Sequence, residues 1–154
     1  MIKILFICHG NICRSPMAEF IFADMVRKAG LSDCFQIESA ATSREEIGND
    51  THPGTKRKLK EEGIPIWPRQ ARQITKKDYQ EYDYILAMEG YNLRNLKRVI
   101  GPDPEGKVHL LLEYTDRPGD IADPWYTGNF DETYEDIVEG LRGFLEYLER
   151  NGEI

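Results

Sequence analysis

The fold is decided by the run Ile2-Lys3-Ile4-Leu5-Phe6-Ile7-Cys8-His9-Gly10-Asn11-Ile12-Cys13-Arg14-Ser15-Pro16 near the N-terminus. Its first half is β-branched and apolar with little alternation, which is typical of a strand buried on both faces of a parallel sheet. Ser15 is a favoured N-cap residue and Pro16 suits the first helical position, so this pair predicts the start of a helix. The run therefore predicts a buried strand, a loop and a helix.

The rest of the chain alternates between strand and helix patterns. Further short apolar runs occur at 35–39, 84–88 and 108–112. Helical spacing of apolar residues occurs around 17–25, around Leu59, at 93–100 and, most clearly, at 134–148, where Asp131 is the predicted N-cap. Such alternation implies right-handed crossovers and a sheet covered on both faces. We expect one flavodoxin-like α/β domain over residues 1–154, a three-layer sandwich around a four-stranded parallel sheet.

Two stretches without periodicity are predicted to be surface loops of that domain. Residues 101–106 are rich in Pro, Gly and Asp, and residues 116–128 form a second irregular segment. Long connections without secondary structure in compact domains are usually binding loops or lids. The second segment is therefore a candidate for a functional role.

Composition and charge exclude several classes of function. The chain has 154 residues, 40% of them hydrophobic, and a formal net charge of −7, which opposes binding to nucleic acid or to anionic membranes. Residues 101–154 hold four Lys/Arg against fourteen Asp/Glu, so an anion site is expected in the N-terminal part. The basic stretch 56–77 is interpreted as a solvated helix face. Neither a membrane span nor a signal peptide is apparent, which predicts a cytoplasmic protein.

The loop between the first strand and the first helix has the features of a phosphate site. A helix N-terminus at the carboxyl end of a parallel strand presents free N–H groups and a partial positive charge. Gly10 avoids side-chain clash and Asn11 tolerates a left-handed backbone, so the N–H groups can turn inward around a tetrahedral anion. Arg14 adds a planar fork of donors. The predicted phosphate loop comprises Cys8, His9, Gly10, Asn11, Ile12, Cys13 and Arg14.

Cys8 is the candidate nucleophile. Beside Arg14, the inward N–H groups and the helix N-terminus, its thiol is expected to ionise more readily than free cysteine, and Ser15 is placed to donate a hydrogen bond to the sulfur. A thiolate in a phosphate cradle predicts attack on phosphorus and a phosphocysteine intermediate. Guanidinium, N–H groups and helix dipole can stabilise the transition state, so no metal or cofactor is implied.

Two plainer interpretations of Cys8 compete with this one. A cysteine at the end of a strand is often a small buried hydrophobe, and Cys8 with Cys13 could be two ligands of a structural metal. Cys34 and the three histidines show no ligand spacing, which disfavours the metal site. The nucleophile interpretation is favoured because Cys, Gly, Arg and Ser-Pro each have a role in this one strand-to-helix context.

A proton donor for the leaving oxygen is predicted in the run Asp123-Pro124-Trp125-Tyr126. Proline restricts the preceding Asp123 to an extended conformation, which projects its carboxyl from the loop. The two aromatic residues are suited to stacking on a substrate ring. Asp116 and Asp120 in the same segment remain alternatives.

The pattern Cys-x-Gly-Asn-Ile-Cys-Arg-Ser-Pro at 8–16, with Asp-Pro-Trp-Tyr at 123–126, resembles the low-molecular-weight protein tyrosine phosphatases over nearly the whole chain. Blocks at 38–43, 71–73 and 86–89, together with Asn92, are similar to that family as well. The resemblance implies a metal-independent phosphatase acting on phosphotyrosine. It assigns Cys8 as nucleophile, Arg14 as phosphate clamp, Asp123 as general acid and base, and Asn11, Ser15 and Ser39 as the supporting network.

The resemblance also implies a redox role for Cys13, the second thiol of this pattern. A neighbouring thiol can trap an oxidised Cys8 as a disulfide and protect it from irreversible oxidation. Peroxide is then expected to abolish activity reversibly.

Several residues depart from the family pattern. The expected substrate slot comprises Ile12, Glu45, Trp125 and Tyr126. Glu45 stands where many members carry an aromatic residue, which implies a slot wall that is missing or acidic. Arg69 replaces a frequent structural histidine and His52 a frequent aspartate, so the polar contacts there are expected to differ.

Three rival functions are weighed against the phosphotyrosine phosphatase. An arsenate reductase on this scaffold needs further cysteines, and none follows Cys34. Phosphoarginine phosphatases tend to carry Thr where this chain has Ile12. A catalytically silent phosphate-binding module is disfavoured because Cys8, Arg14 and Asp123 are all present.

The expected partners follow from the same resemblance. They are a tyrosine-phosphorylated protein substrate and a cognate tyrosine kinase, for which Tyr126 is a candidate target. We expect a monomer.

Overall fold

The computed structural model describes all residues 1–154 and contains one four-stranded parallel sheet of order β2-β1-β3-β4. The strands are β1 (Ile2–Cys8), β2 (Phe35–Ala41), β3 (Tyr84–Ala87) and β4 (Val108–Leu110). In the central strand β1, Cys8 pairs with Ala41 of β2, and Ile7 pairs with Ala87 of β3. The carboxyl ends of three strands therefore meet at Cys8, as the apolar N-terminal run predicts.

Six helices cover the sheet. They are α1 (Arg14–Lys28), α2 (Pro53–Glu61), α3 (Lys76–Glu81), α4 (Gly90–Ile100), α5 (Pro124–Thr127) and α6 (Phe130–Arg150), with single 3₁₀ turns at Ser32–Cys34 and Leu111–Tyr114. Successive side chains of β1 point to opposite faces of the sheet, so the core has two parts, one on each face. Phe6 packs with residues of α1 and α6, whereas Leu5 packs with residues of α3 and α4. Both side chains are fully buried, which confirms the three-layer α/β sandwich.

Helix α1 starts within two residues of its predicted start, but neither Ser15 nor Asp131 is the N-cap residue. Helix α1 begins at Arg14 with Cys13 in the N-cap position, because the Ser15 hydroxyl contacts Cys8 and Asn11 instead of capping the helix. Helix α6 begins at Phe130. Its N-cap is Asn129, whose side chain accepts a hydrogen bond from the Glu132 N–H at 3.0 Å. Asp131 pairs with Lys58.

Other element boundaries also differ from the sequence prediction. Strand β2 continues two residues past Ser39, and β4 ends at Leu110, where the chain turns into a 3₁₀ helix. The predicted loop 116–128 contains helix α5. Helix α3 is absent from the prediction, although Thr75 and Asp78 form a capping box that marks its start.

Four of the eight basic side chains in the stretch 56–77 pair with acidic neighbours. Lys56 pairs with Asp50 at 2.7 Å, Lys58 with Asp131 at 2.8 Å, Arg72 with Asp78 at 2.8 Å and Lys77 with Glu81 at 3.6 Å. The prediction of a solvated helix face is wrong for Arg69 and Arg72, which lie between α2 and α3 and bind Asn11. Among the helices, none combines the length and the hydropathy needed to cross a membrane.

Candidate active site

The phosphate loop, residues 8–14, directs its carbonyl groups into the surrounding protein. Three of these carbonyl oxygens accept backbone N–H groups: Cys8 from Thr42, His9 from Ser43, and Ile12 from His52. The carbonyl of Asn11 accepts from the Arg69 guanidinium. The carbonyl of Cys13 accepts from the Met17 N–H and the Thr55 hydroxyl. A trans peptide places each N–H opposite the preceding carbonyl. The N–H groups of His9, Gly10, Ile12, Cys13 and Arg14 therefore face away from these partners, and all five residues line a cavity. This arrangement has the geometry expected of an anion-binding nest.

The cavity has a volume of about 110 Å³ and brings together residues from three segments. It is lined by Cys8, His9, Gly10, Ile12, Cys13 and Arg14 of the phosphate loop, by Glu45 and Glu46, and by Asp123, Trp125 and Tyr126. All the predicted catalytic and slot residues thus reach one site. The alternative acids Asp116 and Asp120 do not line it, and Asp120 accepts a hydrogen bond from the Gly90 N–H at 3.0 Å.

Cys8 is held by a buried network behind the cavity. Its sulfur lies 3.1 Å from the Ser15 hydroxyl, and the Asn11 amide nitrogen donates to Ser15 at 2.8 Å and to Ser39 at 2.9 Å. Because Ser15 accepts from Asn11, its own proton is available for the sulfur of Cys8. The predicted supporting residues Asn11, Ser15 and Ser39 therefore form one hydrogen-bond network that ends at the sulfur of Cys8.

Asn11 is the only residue other than glycine with a positive φ, at 59°. Its side-chain oxygen accepts hydrogen bonds from Arg69 and from the Arg72 N–H. These donors fix which end of the amide faces Ser15. Burial lowers the pKa of Arg69, while the negative charges of Glu19, Cys8 and Asp50 oppose that shift.

Glu19 ends the network and was missed by sequence reasoning. It is buried on α1 and accepts a hydrogen bond from the Ser39 hydroxyl. Burial raises its pKa, and the hydrogen bond from Ser39 opposes this. In the sequence Glu19 is one polar position on an apolar helix, so only its three-dimensional position reveals the role.

Arg14 is clamped by partners on a different part of the chain. Its side chain is only 2% exposed, and its Nη1 donates to Glu89 and, at 2.9 Å, to the Ile121 carbonyl. Its Nη2 lies 3.3 Å from Asp123, while its Nε is buried without a protein partner. Burial lowers the pKa of Arg14, but the negative charges of Cys8, Asp123 and Glu89 outweigh it and raise the pKa overall. Glu89 was not assigned this role from the sequence.

Asp123 has the extended backbone that Pro124 predicts, with φ −81° and ψ 112°. Its Oδ1 accepts the Trp125 N–H at 3.0 Å and so caps helix α5, while its Oδ2 faces Arg14. Trp125 and Tyr126 are 56% and 83% exposed. The carboxyl therefore lies beside the phosphate site on an exposed segment.

Cys13 is buried in the wall of the same cavity. Burial and the neighbouring Cys8 raise the pKa of its thiol to about 12, so it stays protonated at neutral pH. All three cysteines are free, and no three His, Cys, Asp or Glu side chains are grouped so that they could hold a metal ion.

The outer slot wall is polar, as Glu45 predicts. The Glu45 carboxylate lies 2.7 Å from Nε2 of His9, and the ring of His9 packs against Tyr91 with centroids 5.8 Å apart. The pair joins the phosphate loop to the segment after β2. A hydrogen-bonded pair of polar side chains therefore stands where the family resemblance implies an aromatic wall.

Comparisons with known proteins agree with this geometry. The family model "Low molecular weight phosphotyrosine protein phosphatase" matches residues 3–153. The chain is 38% identical over 156 residues to the low molecular weight protein-tyrosine-phosphatase YfkJ of Bacillus subtilis, covering 100% of both chains. It is 40% identical over 149 residues to the human low molecular weight phosphotyrosine protein phosphatase, covering 94% of each.

Solved structures give the same result. The crystal structure of YfkJ superposes with a TM-score of 0.94 at 39% identity, over 98% of this chain and 96% of that one. The crystal structure of DARP, a drosophila arginine phosphatase, superposes with a TM-score of 0.85 at 32% identity, over 95% and 97% of the two chains.

Proposed function

Because the chain belongs to the low-molecular-weight phosphotyrosine protein phosphatases, we propose that it hydrolyses phosphotyrosine with Cys8 as nucleophile, Arg14 as phosphate ligand and Asp123 as general acid. Members of the family are hydrolases of phosphoric monoesters that need no metal. The observation that carries the assignment is the convergence of these three side chains on one cavity lined by the N–H side of the phosphate loop. We treat residues 1–154 as one phosphatase domain.

The first step transfers the phosphoryl group to sulfur. The inward N–H groups and the Nε and Nη2 donors of Arg14 bind the phosphoryl oxygens and stabilise the charge that develops on them. The Cys8 thiolate attacks phosphorus, an S–P bond forms, and the bond from phosphorus to the phenolic oxygen breaks. The protonated carboxyl of Asp123 gives its proton to that oxygen, so tyrosine leaves neutral.

The second step regenerates the enzyme. Asp123, now a carboxylate, takes a proton from water as the water oxygen attacks phosphorus. The S–P bond breaks, inorganic phosphate leaves, and Cys8 returns to the thiolate that Ser15 stabilises. The 3.3 Å between Oδ2 of Asp123 and Nη2 of Arg14 supports both proposed roles of Asp123.

Reversible oxidation is the finer part of the proposal. Peroxide converts the Cys8 thiolate to a sulfenate and water, and the sulfenic acid then condenses with the Cys13 thiol to a disulfide with loss of a second water. We assign the reaction with peroxide to Cys8 and the disulfide-forming thiol to Cys13, because a buried thiol with a pKa of about 12 is not itself reactive towards peroxide. A reducing thiol restores both cysteines.

Location and partners complete the proposal. Three free cysteines suit a reducing cytoplasm. We expect a monomer whose substrates are tyrosine-phosphorylated proteins and whose exposed Tyr126 is a target for a cognate tyrosine kinase.

The test is hydrolysis of phosphotyrosine, phosphoserine and phosphoarginine by the purified protein, with p-nitrophenyl phosphate as a general reporter. We expect turnover of the aryl esters, and kcat/KM for phosphotyrosine well above that for the other two. Preference for phosphoarginine would replace the substrate assignment. Phosphate binding without turnover of any ester would indicate a silent binding module.

A further inference from the structure

His52 links the two loops that meet at the active site. Its backbone N–H donates to the Ile12 carbonyl of the phosphate loop at 2.8 Å. Its ring lies edge-on to the ring of Trp125, with centroids 5.7 Å apart and planes at 78°. A single residue therefore contacts the nucleophile side and the acid side.

The position of the His52 ring is fixed by two further contacts. Its Nδ1 accepts the Gly54 N–H at 2.9 Å and caps helix α2. Its face stacks on Phe130, the first residue of α6, at 5.3 Å and 24°. Phe130 in turn packs so closely on the start of α2 that a Cβ on Gly54 would lie 2.3 Å from its ring. The position of the imidazole is therefore defined by the backbone hydrogen bond to Ile12, the hydrogen bond from Gly54 and the stacking on Phe130.

Trp125 packs against the His52 ring while much of its surface stays exposed. Trp125 is 56% exposed. Its backbone N–H donates to the Asp123 carboxylate at 3.0 Å. Trp125 thus joins the two residues, because its ring contacts His52 and its N–H binds Oδ1 of Asp123, whose Oδ2 faces Arg14.

We propose that His52 is a positioning residue for the general acid, acting through Trp125 to hold Asp123 at a fixed distance from the phosphate loop. The inference rests on the proposed function, since it presupposes that Asp123 protonates the leaving group. His52 itself touches neither phosphate nor leaving group.

Two variants separate the ring from the cap. His52→Asn keeps a side-chain oxygen that caps α2 but removes the ring, and His52→Phe keeps an aromatic ring but removes the acceptor. We would measure kcat/KM for phenyl phosphate and p-nitrophenyl phosphate, because kcat/KM covers the step in which the phenol leaves and only the poorer leaving group needs the proton. Circular dichroism and thermal unfolding report on the fold.

The expected result is selective. His52→Asn lowers kcat/KM for phenyl phosphate about tenfold more than for p-nitrophenyl phosphate, since a displaced carboxyl transfers its proton poorly. His52→Phe keeps the wild-type ratio of the two substrates even though it loses thermal stability. Trp125→Ala reproduces the selective loss, and adding His52→Asn to it changes the ratio no further.

Three outcomes overturn the inference. One is an unchanged substrate ratio in His52→Asn, the second is an equal change of the ratio in the Asn and Phe variants, and the third is additive effects of His52→Asn and Trp125→Ala. Asp123→Asn distinguishes this from failure of the proposed function. If Asp123→Asn lowers kcat/KM for phenyl phosphate no more than for p-nitrophenyl phosphate, Asp123 is not the general acid. The proposed role of His52 is then wrong as well.

Discussion

The phosphate loop and the acid loop, residues 121–128, contribute to the same cavity but are held in different ways. In the phosphate loop five carbonyl groups are bound by the surrounding protein and Asn11 is fully buried. The acid loop is bound at its base, where the Ile121 N–H donates to the Met88 carbonyl at 2.8 Å and the Thr133 hydroxyl to the Ala122 carbonyl at 3.1 Å. Its aromatic tip is exposed.

The rigid support of the phosphate loop and the exposed tip of the acid loop suit their two proposed roles, which are binding the phosphoryl group and transferring a proton. Stabilising developing charge on phosphate requires donors that are already oriented before the reaction. Proton transfer requires a carboxyl that approaches one oxygen and then a water at nearly the same place, which an exposed loop with a fixed base permits. Variants in the two loops are therefore expected to fail in different ways.

The largest expected effect is loss of the nucleophile. Cys8→Ser removes the thiolate but leaves the carbonyl contacts of the phosphate loop intact, so turnover of p-nitrophenyl phosphate is expected to fall at least about a thousandfold. Phosphate or vanadate binding, measured by calorimetry, is expected to persist. Residual turnover close to that of the wild type would remove Cys8 from the mechanism.

Loss of the general acid is expected to be large and dependent on the leaving group. Asp123→Asn keeps the cap on helix α5, yet kcat/KM for phenyl phosphate is expected to fall about a hundredfold and that for p-nitrophenyl phosphate much less. A Brønsted plot over a series of aryl phosphates measures this directly. Parallel losses along the whole series would assign the proton to another group.

The support of the phosphate loop is tested by a matched pair at Asn11. Asn11→Gly tolerates the φ of 59° and removes only the amide, whereas Asn11→Ala also strains the backbone. We expect both to lose about tenfold in kcat/KM, and the Ala variant to be less stable than the Gly variant by about 1 kcal/mol in urea unfolding. Equal activity of wild type and Asn11→Gly would show that the network behind Cys8 has no catalytic effect.

The smallest expected effect on activity comes from Asp78, which contacts the phosphate loop only through Arg72. Asp78 binds the Arg72 guanidinium at 2.8 and 3.2 Å, and the N–H of Arg72 binds Asn11. Asp78→Asn is expected to cost about 1–3 kcal/mol of unfolding free energy at neutral pH, with only a few-fold loss of activity.

The pH dependence of that loss has a definite sign. Burial raises the pKa of Asp78, but the hydrogen bonds from Arg72 and Thr75 outweigh it and leave the folded pKa below its ordinary value. The stabilisation is therefore present above the unfolded pKa and is lost as the pH falls through the lower folded pKa. Urea unfolding is expected to show wild type and Asp78→Asn converging in acid; a constant difference between them would contradict the assignment.

The fold, and the convergence of Cys8, Arg14 and Asp123 on one candidate site, could be predicted because their signals are local. The apolar run of β1 and the loop after it lie within fifteen residues, and the chemistry of Cys8 and Arg14 follows from that context. Asp123 was predicted from its dipeptide with Pro124, which fixes the extended backbone seen in the structure. Helix α3 was missed because it has only six residues, too few for a periodic pattern.

The supporting residues could not be predicted because their contacts are distant in sequence. Glu89 is 75 residues from Arg14, and Arg69 is 58 residues from Asn11. Nothing near Glu89 marks its carboxylate as a partner for a buried guanidinium. His52 was noted only as a departure from a family pattern, and its contact with Trp125 joins residues 73 positions apart.

Covalent transfer of phosphate to Cys8 is tested most directly by acid quenching during turnover, followed by peptide mass analysis. With a rapidly cleaved aryl phosphate, the account predicts about one phosphate per protein on the peptide that contains Cys8, and none in Cys8→Ser. Phosphate found on another residue, or full turnover with no phosphorylated peptide at any time, would contradict it.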